Sequence, residues 1–170
     1  MEKEISKYKL IQQYCKIINT KDVIADHESA FTAAKKGKES SMWKAIESQK
    51  NNMTDISLSA GNTGALLVIS RLILNTIDGI NKPALAGFWP NKDSINIVLD
   101  LGANIECDEK NLFDFACMGS ALYKSLFNIE NPKIALLNVG LEETKGNEVL
   151  KKTFAFIKKN RIRNFDFTGY

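Results

Sequence analysis

Apolar and polar positions follow two rhythms along this chain. Between Thr63 and about Asn75, Leu66, Leu67, Ile69, Leu72 and Ile73 recur at helical spacing. Helical patterns also run from about Glu109 to Phe127 and from Glu143 to Lys159. Residues 1–13 read as helical without a clear start signal. Residues 28–51 read as two helices broken near Gly37, with Ser40 or Ser41 capping Met42–Lys50. Six short segments read as strands: Lys16–Asn19, Asp55–Ser59, Pro83–Phe88, Ile95–Leu101, Ile134–Val139 and Asn164–Phe167. Asp78-Gly79 closes one helix, and Asn91–Asp93 makes a turn.

Strands alternating with helices predict an α/β fold with a mainly parallel sheet. Ile95–Leu99 and Ile134–Leu137 are near-continuous apolar runs, as in strands covered by helices on both faces. Pro83–Phe88 and Ile95–Leu101 lie too close for a helical crossover, so a hairpin is expected there. No repeat, low-complexity tract or linker interrupts the pattern, and the 170 residues suit a single domain.

Composition narrows the function classes. Hydrophobic residues make up 44% and charged residues 25%, ordinary for a globular protein. A net charge of +3 is too small to point to nucleic acid. Cys15, Cys107 and Cys117 have no metal spacing, and an odd count without a signal-peptide pattern predicts reduced thiols in a cytoplasm. No apolar run approaches the roughly 20 residues of a membrane span. His27 is the only histidine and is expected to be a loop side chain, so triad chemistry has no partner in view. Cys117 is expected in the core, and Trp43 and Trp89 as packing residues. Neither a dinucleotide fingerprint nor a P-loop is present.

The chemistry gathers at strand ends. Ser59-Ala60-Gly61-Asn62-Thr63-Gly64-Ala65 joins a predicted strand to a predicted helix, a turn that aims backbone N–H groups outward at a helix N-terminus and suits an anion. Asp100-Leu101-Gly102-Ala103-Asn104 and Asn138-Val139-Gly140 follow two other strands. If the strands are parallel, all three loops open on one edge, where α/β sheets bind ligands; each also fits a plain tight turn. Lys145, in Glu142–Glu148, could reach an anion over these loops, with a charge-assisted bond worth roughly 1.5–3 kcal/mol. The alternative is a solvated lysine in a first helical turn, an unfavourable place for a cation. Lys35, Lys36 and Lys38 with Ser40 and Ser41 form a further anion-binding candidate, or a solvated face with a simple N-cap.

In order along the chain, Lys38-Glu39-Ser40-Ser41-Met42, Ser59–Ala65, Gly79-Ile80-Asn81-Lys82-Pro83-Ala84, Leu99–Asn104, Met118-Gly119-Ser120, and Leu136–Gly140 with Lys145-Gly146-Asn147-Glu148 resemble the phosphate acyltransferases of bacterial phospholipid synthesis, the PlsX family. The resemblance runs from about Ile17 to Phe165 and corresponds to about the middle half of a typical member. Gly37, Trp89-Pro90-Asn91 and Asp166–Tyr170 depart from the family pattern. A truncated or split form is therefore expected.

The resemblance implies a Rossmann-like three-layer α/β/α sandwich, similar to isopropylmalate and isocitrate dehydrogenases. It implies transfer of a fatty acyl group from acyl carrier protein to inorganic phosphate, giving acyl phosphate. Phosphate attacks the thioester directly, which explains the absence of an activated protein nucleophile. Positioning and oxyanion stabilisation are what the reaction needs. Asn62 and Lys145 are the expected catalytic residues. Ser59, Gly61, Thr63, Gly64, Asp100, Gly102, Asn104, Asn138, Gly140, Gly146, Asn147, Lys38, Ser40 and Ser41 are the expected substrate-binding set, with Asp100 and Asn104 shaping the cleft. No metal or cofactor is implied. Full-length relatives are expected to be homodimers, cytoplasmic, with a peripheral contact at the inner face of the membrane. The alternatives are an acetyl- or butyryltransferase using coenzyme A, and an inactive fragment acting as a binding module.

Overall fold

The computed structural model describes residues 2–92, 94–140, 142, 145–160 and 164–170, in two units that divide after Asn75. The first unit is helical. Two short helices, α1 (Glu2–Ile5) and α2 (Lys9–Tyr14), break at residues 6–8. They are followed by α3 (Ala30–Lys36), a 3₁₀ turn (Gly37–Glu39), α4 (Ser41–Lys50) and α5 (Thr63–Leu74). Each later helix starts on a side chain that accepts an orphan N–H. The caps are Ser29 Oγ for Thr32 at 3.2 Å, Ser40 Oγ for Trp43 at 3.2 Å, and Asn62 Oδ1 for Ala65 at 2.9 Å.

Apolar stripes close this unit. Ala65, Ile69 and Ile73 lie on one face of α5, and Met42 and Ile46 on one face of α4, joined by Ile24, Ala33 and Ala34. Small residues let α3 approach α5 closely: a Cβ on Gly64 would lie 3.4 Å from that of Ala30.

The second unit is mixed. Strands β1 (Gly87–Pro90) and β2 (Ile95–Val98) pair antiparallel as the expected hairpin, its turn closed by Asn91 N–H on Ser94 O at 2.9 Å. Helix α6 (Glu109–Phe127) opens on a capping box of Asp108 and Asn111 and closes on Asn128 in the left-handed region. Strand β3 (Lys133–Ala135), helix α7 (Glu148–Asn160) and strand β4 (Asp166–Gly169) follow, with β3 and β4 parallel. Ala116, Leu136, Ile157 and Phe165 form the core, edged by Phe113, Phe154, Phe167 and Tyr170. Cys117 packs against it, as expected of a core cysteine.

The chain is thus mixed α/β, with two two-stranded sheets among the described residues where the alternation predicts one mainly parallel sheet. The difference is one of partners. Lys16–Asn19 and Asp55–Ser59 carry no ladder, and Ile56 and Leu58 are 80% and 93% exposed. A strand is held by backbone hydrogen bonds to a neighbouring strand, and no described segment forms a ladder with either stretch; Ser57 Oγ donates instead to Ala45 O of α4 at 2.9 Å. Pro83–Ala86 forms no regular ladder: Leu85 O takes Leu101 N–H at 3.0 Å, but Leu85 N–H goes to the Asp100 side chain and Pro83 O to that of Asn104, so β1 begins at Gly87. The Glu143–Lys159 helix begins at Glu148, because Asn147 caps it; Glu143 and Thr144 lie outside the described residues. The strand expected over Asn164–Phe167 spans Asp166–Gly169. Trp43 packs against the first core, but Trp89, on the hairpin, is 59% exposed and packs little. Among the described residues, no helix is long and apolar enough to cross a membrane.

Candidate anion-binding site

In the first unit the loop before α5 closes on itself. Ser59 Oγ accepts from Gly61 N–H at 3.2 Å. Asn62 accepts from Ala65 N–H through Oδ1, and its Nδ2 faces the carbonyls of Ala25, Asp26 and Glu28 at 3.3, 3.1 and 2.9 Å. Leu66 N–H is taken by Asn62 O at 3.0 Å. Thr63 and Gly64 are exposed, and their N–H groups have no acceptor among the described residues. Two adjacent donors at the positive end of a twelve-residue helix make this loop a candidate anion site by geometry and charge together.

The neighbouring Lys38–Ser41 segment is more structural than expected. Ser40 is fully buried and spends its Oγ on the α4 cap. Ser41 N–H is bonded to Asp22 O at 3.2 Å. Lys38 is exposed in the 3₁₀ turn. A Cβ on Gly61 would lie 3.5 Å from Met42 Cε, so the α4 start adjoins the loop.

In the second unit two loops carry the remaining candidates. Asp100 Oδ1 accepts from Leu85 N–H at 2.7 Å, and Oδ2 from Asn104 N–H at 2.8 Å and Nδ2 at 3.1 Å. Asn104 Nδ2 also donates to Pro83 O at 2.8 Å. Asp100 and Asn104 therefore shape the loop, with Gly102 turning it at φ +85°. Lys82, beside it, donates to Glu106 O at 2.8 Å. Partial burial raises the Cys107 thiol pKa against the opposing pull of Lys82.

The other loop presents Lys145. Its ammonium lies 2.8 Å from Glu142 Oε1, and this hydrogen bond lowers the Glu142 carboxyl pKa. The pair lies over Gly140, where a Cβ would come within 2.7 Å of Glu142 Oε2 and 2.8 Å of Lys145 Cδ. Asn138 Nδ2 donates to Lys145 O at 3.2 Å, and Gly146, at φ +91°, passes so close that a Cβ would lie 2.6 Å from Asn138 Oδ1. Asn147 Oδ1 accepts from Leu150 N–H at 2.9 Å and caps α7. Asn138, Gly140, Lys145, Gly146 and Asn147 are thus one local cluster.

Three partners escape a reading of motifs. The Ala25–Glu28 turn that holds Asn62 is distant in sequence and carries no signal, and neither does the Pro83–Leu85 backbone that holds Asp100 and Asn104. Glu142 was missed as well, although its position three residues before Lys145 is an ion-pair spacing.

Comparison with known proteins bears on what these clusters serve. The family model described as "Fatty acid synthesis protein" matches residues 1–170. A phosphate acyltransferase from Pelagibacter ubique is 54% identical over 154 residues, 91% of this chain and 46% of that protein. One from Ehrlichia ruminantium is 45% identical over 166 residues, 98% of this chain and 48% of that protein. One from Rhodopseudomonas palustris is 37% identical over 171 residues, all of this chain and 48% of that protein. The chain spans about half the length of the curated relatives it matches.

Proposed function

The chain belongs to the fatty acid synthesis protein family, and we propose that it carries the phosphate-holding part of a phosphate acyltransferase whose acyl donor is acyl carrier protein. The observation that carries the reading is the pair of exposed, unaccepted N–H groups of Thr63 and Gly64 at the start of α5. The relatives are named phosphate acyltransferases, and phosphate fits such a pair.

In the proposed reaction a phosphate oxygen attacks the thioester carbonyl carbon. The tetrahedral intermediate collapses, the C–S bond breaks, and the phosphate proton leaves with the carrier thiol. The products are acyl phosphate and free carrier protein. Lys145, in the second unit, is an exposed cation of the kind that offsets oxyanion charge in acyl transfer, where losing one such donor typically costs 10²–10³ in rate. Asn138, Gly140, Gly146 and Asn147 hold the Lys145 loop; Asp100, Gly102 and Asn104 hold the Leu99–Asn104 loop. Lys38 and Ser41 sit on the α4 side of the phosphate loop.

The same reading carries a Rossmann-like α/β/α fold, a reading that the parallel β3–α7–β4 crossover of the second unit supports there. It also carries the dimeric, cytoplasmic, membrane-peripheral enzyme that the motif resemblance implies. The test is phosphate-dependent release of carrier thiol from an acylated carrier protein, with acetyl- and butyryl-coenzyme A as competing donors. Release from the carrier that Lys145→Ala abolishes supports the reading. Release from coenzyme A alone, or release indifferent to phosphate, refutes it.

A further inference from the structure

Asn62 stands beside the phosphate loop, yet its side chain has nothing left to offer an anion. Oδ1 takes the Ala65 N–H at 2.9 Å, and Nδ2 meets the carbonyls of Ala25, Asp26 and Glu28 at 3.3, 3.1 and 2.9 Å. Carbonyls only accept and an N–H only donates, so the carboxamide is fixed in this orientation. Its two amide hydrogens already face three acceptors.

We propose that Asn62 is a positioning residue: its carboxamide pins the Ala25–Glu28 turn against the start of α5 and so holds the Thr63 and Gly64 N–H groups in one frame. The inference rests on the anion reading of that loop and replaces a direct contact between the Asn62 side chain and phosphate. The turn is itself closed by Glu28 N–H on Ala25 O at 3.1 Å. It leads within one residue to Ser29, the cap of α3, and then to Ala30. Ala30 in turn meets Gly64: a Cβ there would lie 3.4 Å from Ala30 Cβ. A shift of the turn is therefore felt at Gly64 by two routes, through Asn62 itself and through Ala30. Donors held rigidly before the anion arrives need no reorganisation when it binds.

Asn62→Ser separates the two halves of the side chain, because a serine oxygen still caps α5 while the amide is gone. Two measurements on the full chain test the proposal: amide hydrogen exchange, and the Kd for inorganic phosphate by calorimetry. Exchange over residues 25–30 is expected to speed up about tenfold, the worth of one ordinary hydrogen bond, with Ile69–Ile73 unchanged as the check on folding. Phosphate affinity is expected to fall by a similar factor. Asn62→Thr repeats the test if the serine variant loses its cooperative transition. Weaker phosphate binding with unchanged exchange would mean that the carboxamide touches the anion itself, overturning the proposal. Faster exchange with unchanged phosphate affinity overturns it from the other side, as does no change in either. If the unaltered chain binds no phosphate, the anion reading fails first, and the positioning role falls with it.

Discussion

Replacing Gly146 by alanine isolates how the Lys145 loop is held. Gly146 adopts φ +91°, where an L residue is strained by about 1–2 kcal/mol. The added Cβ would also lie 2.6 Å from Asn138 Oδ1 and 3.2 Å from its Cγ and Nδ2. Asn138 must swing away and lose its bonds to Lys145 O and to Val139 N–H. Two exposed hydrogen bonds at the low end of about 0.5–1.5 kcal/mol each add roughly 1 kcal/mol. Gly79→Ala is the control, because Gly79 sits at φ +85° with nothing within 4 Å of its Cβ. Its cost is the backbone strain alone. At about 2–4 °C per kcal/mol for a chain of this size, Gly146→Ala should lower Tm by roughly 4–12 °C and Gly79→Ala by about 2–8 °C. Urea unfolding of both variants gives the free-energy difference directly. Equal losses would refute the latch between Asn138 and Gly146, and with it the view that Asn138 orders the Lys145 backbone.

Three further outcomes follow from the same contacts. Ile69→Ala, at a fully buried site in the first core, should cost about 2–5 kcal/mol in chemical unfolding; a loss under 1 kcal/mol would mean that α5 is not packed as described. The Glu142 carboxyl, lowered by Lys145, favours the folded loop above the ordinary glutamate range and loses that contribution as pH falls through its own lower midpoint. Carbon-13 titration should therefore find Glu142 below its midpoint in Lys145→Ala, and coincident midpoints would dismiss the pair. Burial raises the Cys117 thiol, with Asp114 adding to it, so alkylation at neutral pH should reach exposed Cys15 first and Cys117 last; prompt labelling of Cys117 would place it outside the core.

Helices were far more legible in this chain than strands. Helix α6 falls where its period places it, because Asp108 and Asn111 write the start and Asn128 the stop within a few residues. Asn62 and Ser40 do the same for α5 and α4. Strand partners are not local, and the chain cannot name them. Ile56 and Leu58 have the alternation of a strand and stay exposed, while Gly87–Pro90 pairs with Ile95–Val98 because the turn between them brings the partner along. The loop before α5 and the Lys145 loop were visible as glycine-rich junctions. Their closing contacts were not, because Ala25–Glu28 and Pro83–Leu85 contribute backbone atoms that any residue could supply.

That division explains which motif residues remain for chemistry. Asparagine, serine and aspartate stand out in a sequence as candidate ligands, yet here most of them are spent on the backbone. Ser40, Asn62 and Asn147 cap helices, Asp100 accepts three N–H groups, and Asn104 reaches Pro83 O. Under the proposed anion reading, each unit can offer only the groups those side chains leave exposed rather than the side chains themselves. In the first unit these are the Thr63 and Gly64 amides; in the second, the Lys145 ammonium shared with Glu142. Alanine substitution at the polar motif positions should therefore change loop order first and anion affinity through it, whereas at Lys145 it should lower turnover without loosening the fold. A phosphate affinity that collapses in Asn62→Ala, with hydrogen exchange of the loop unchanged, would break that ordering at its clearest point.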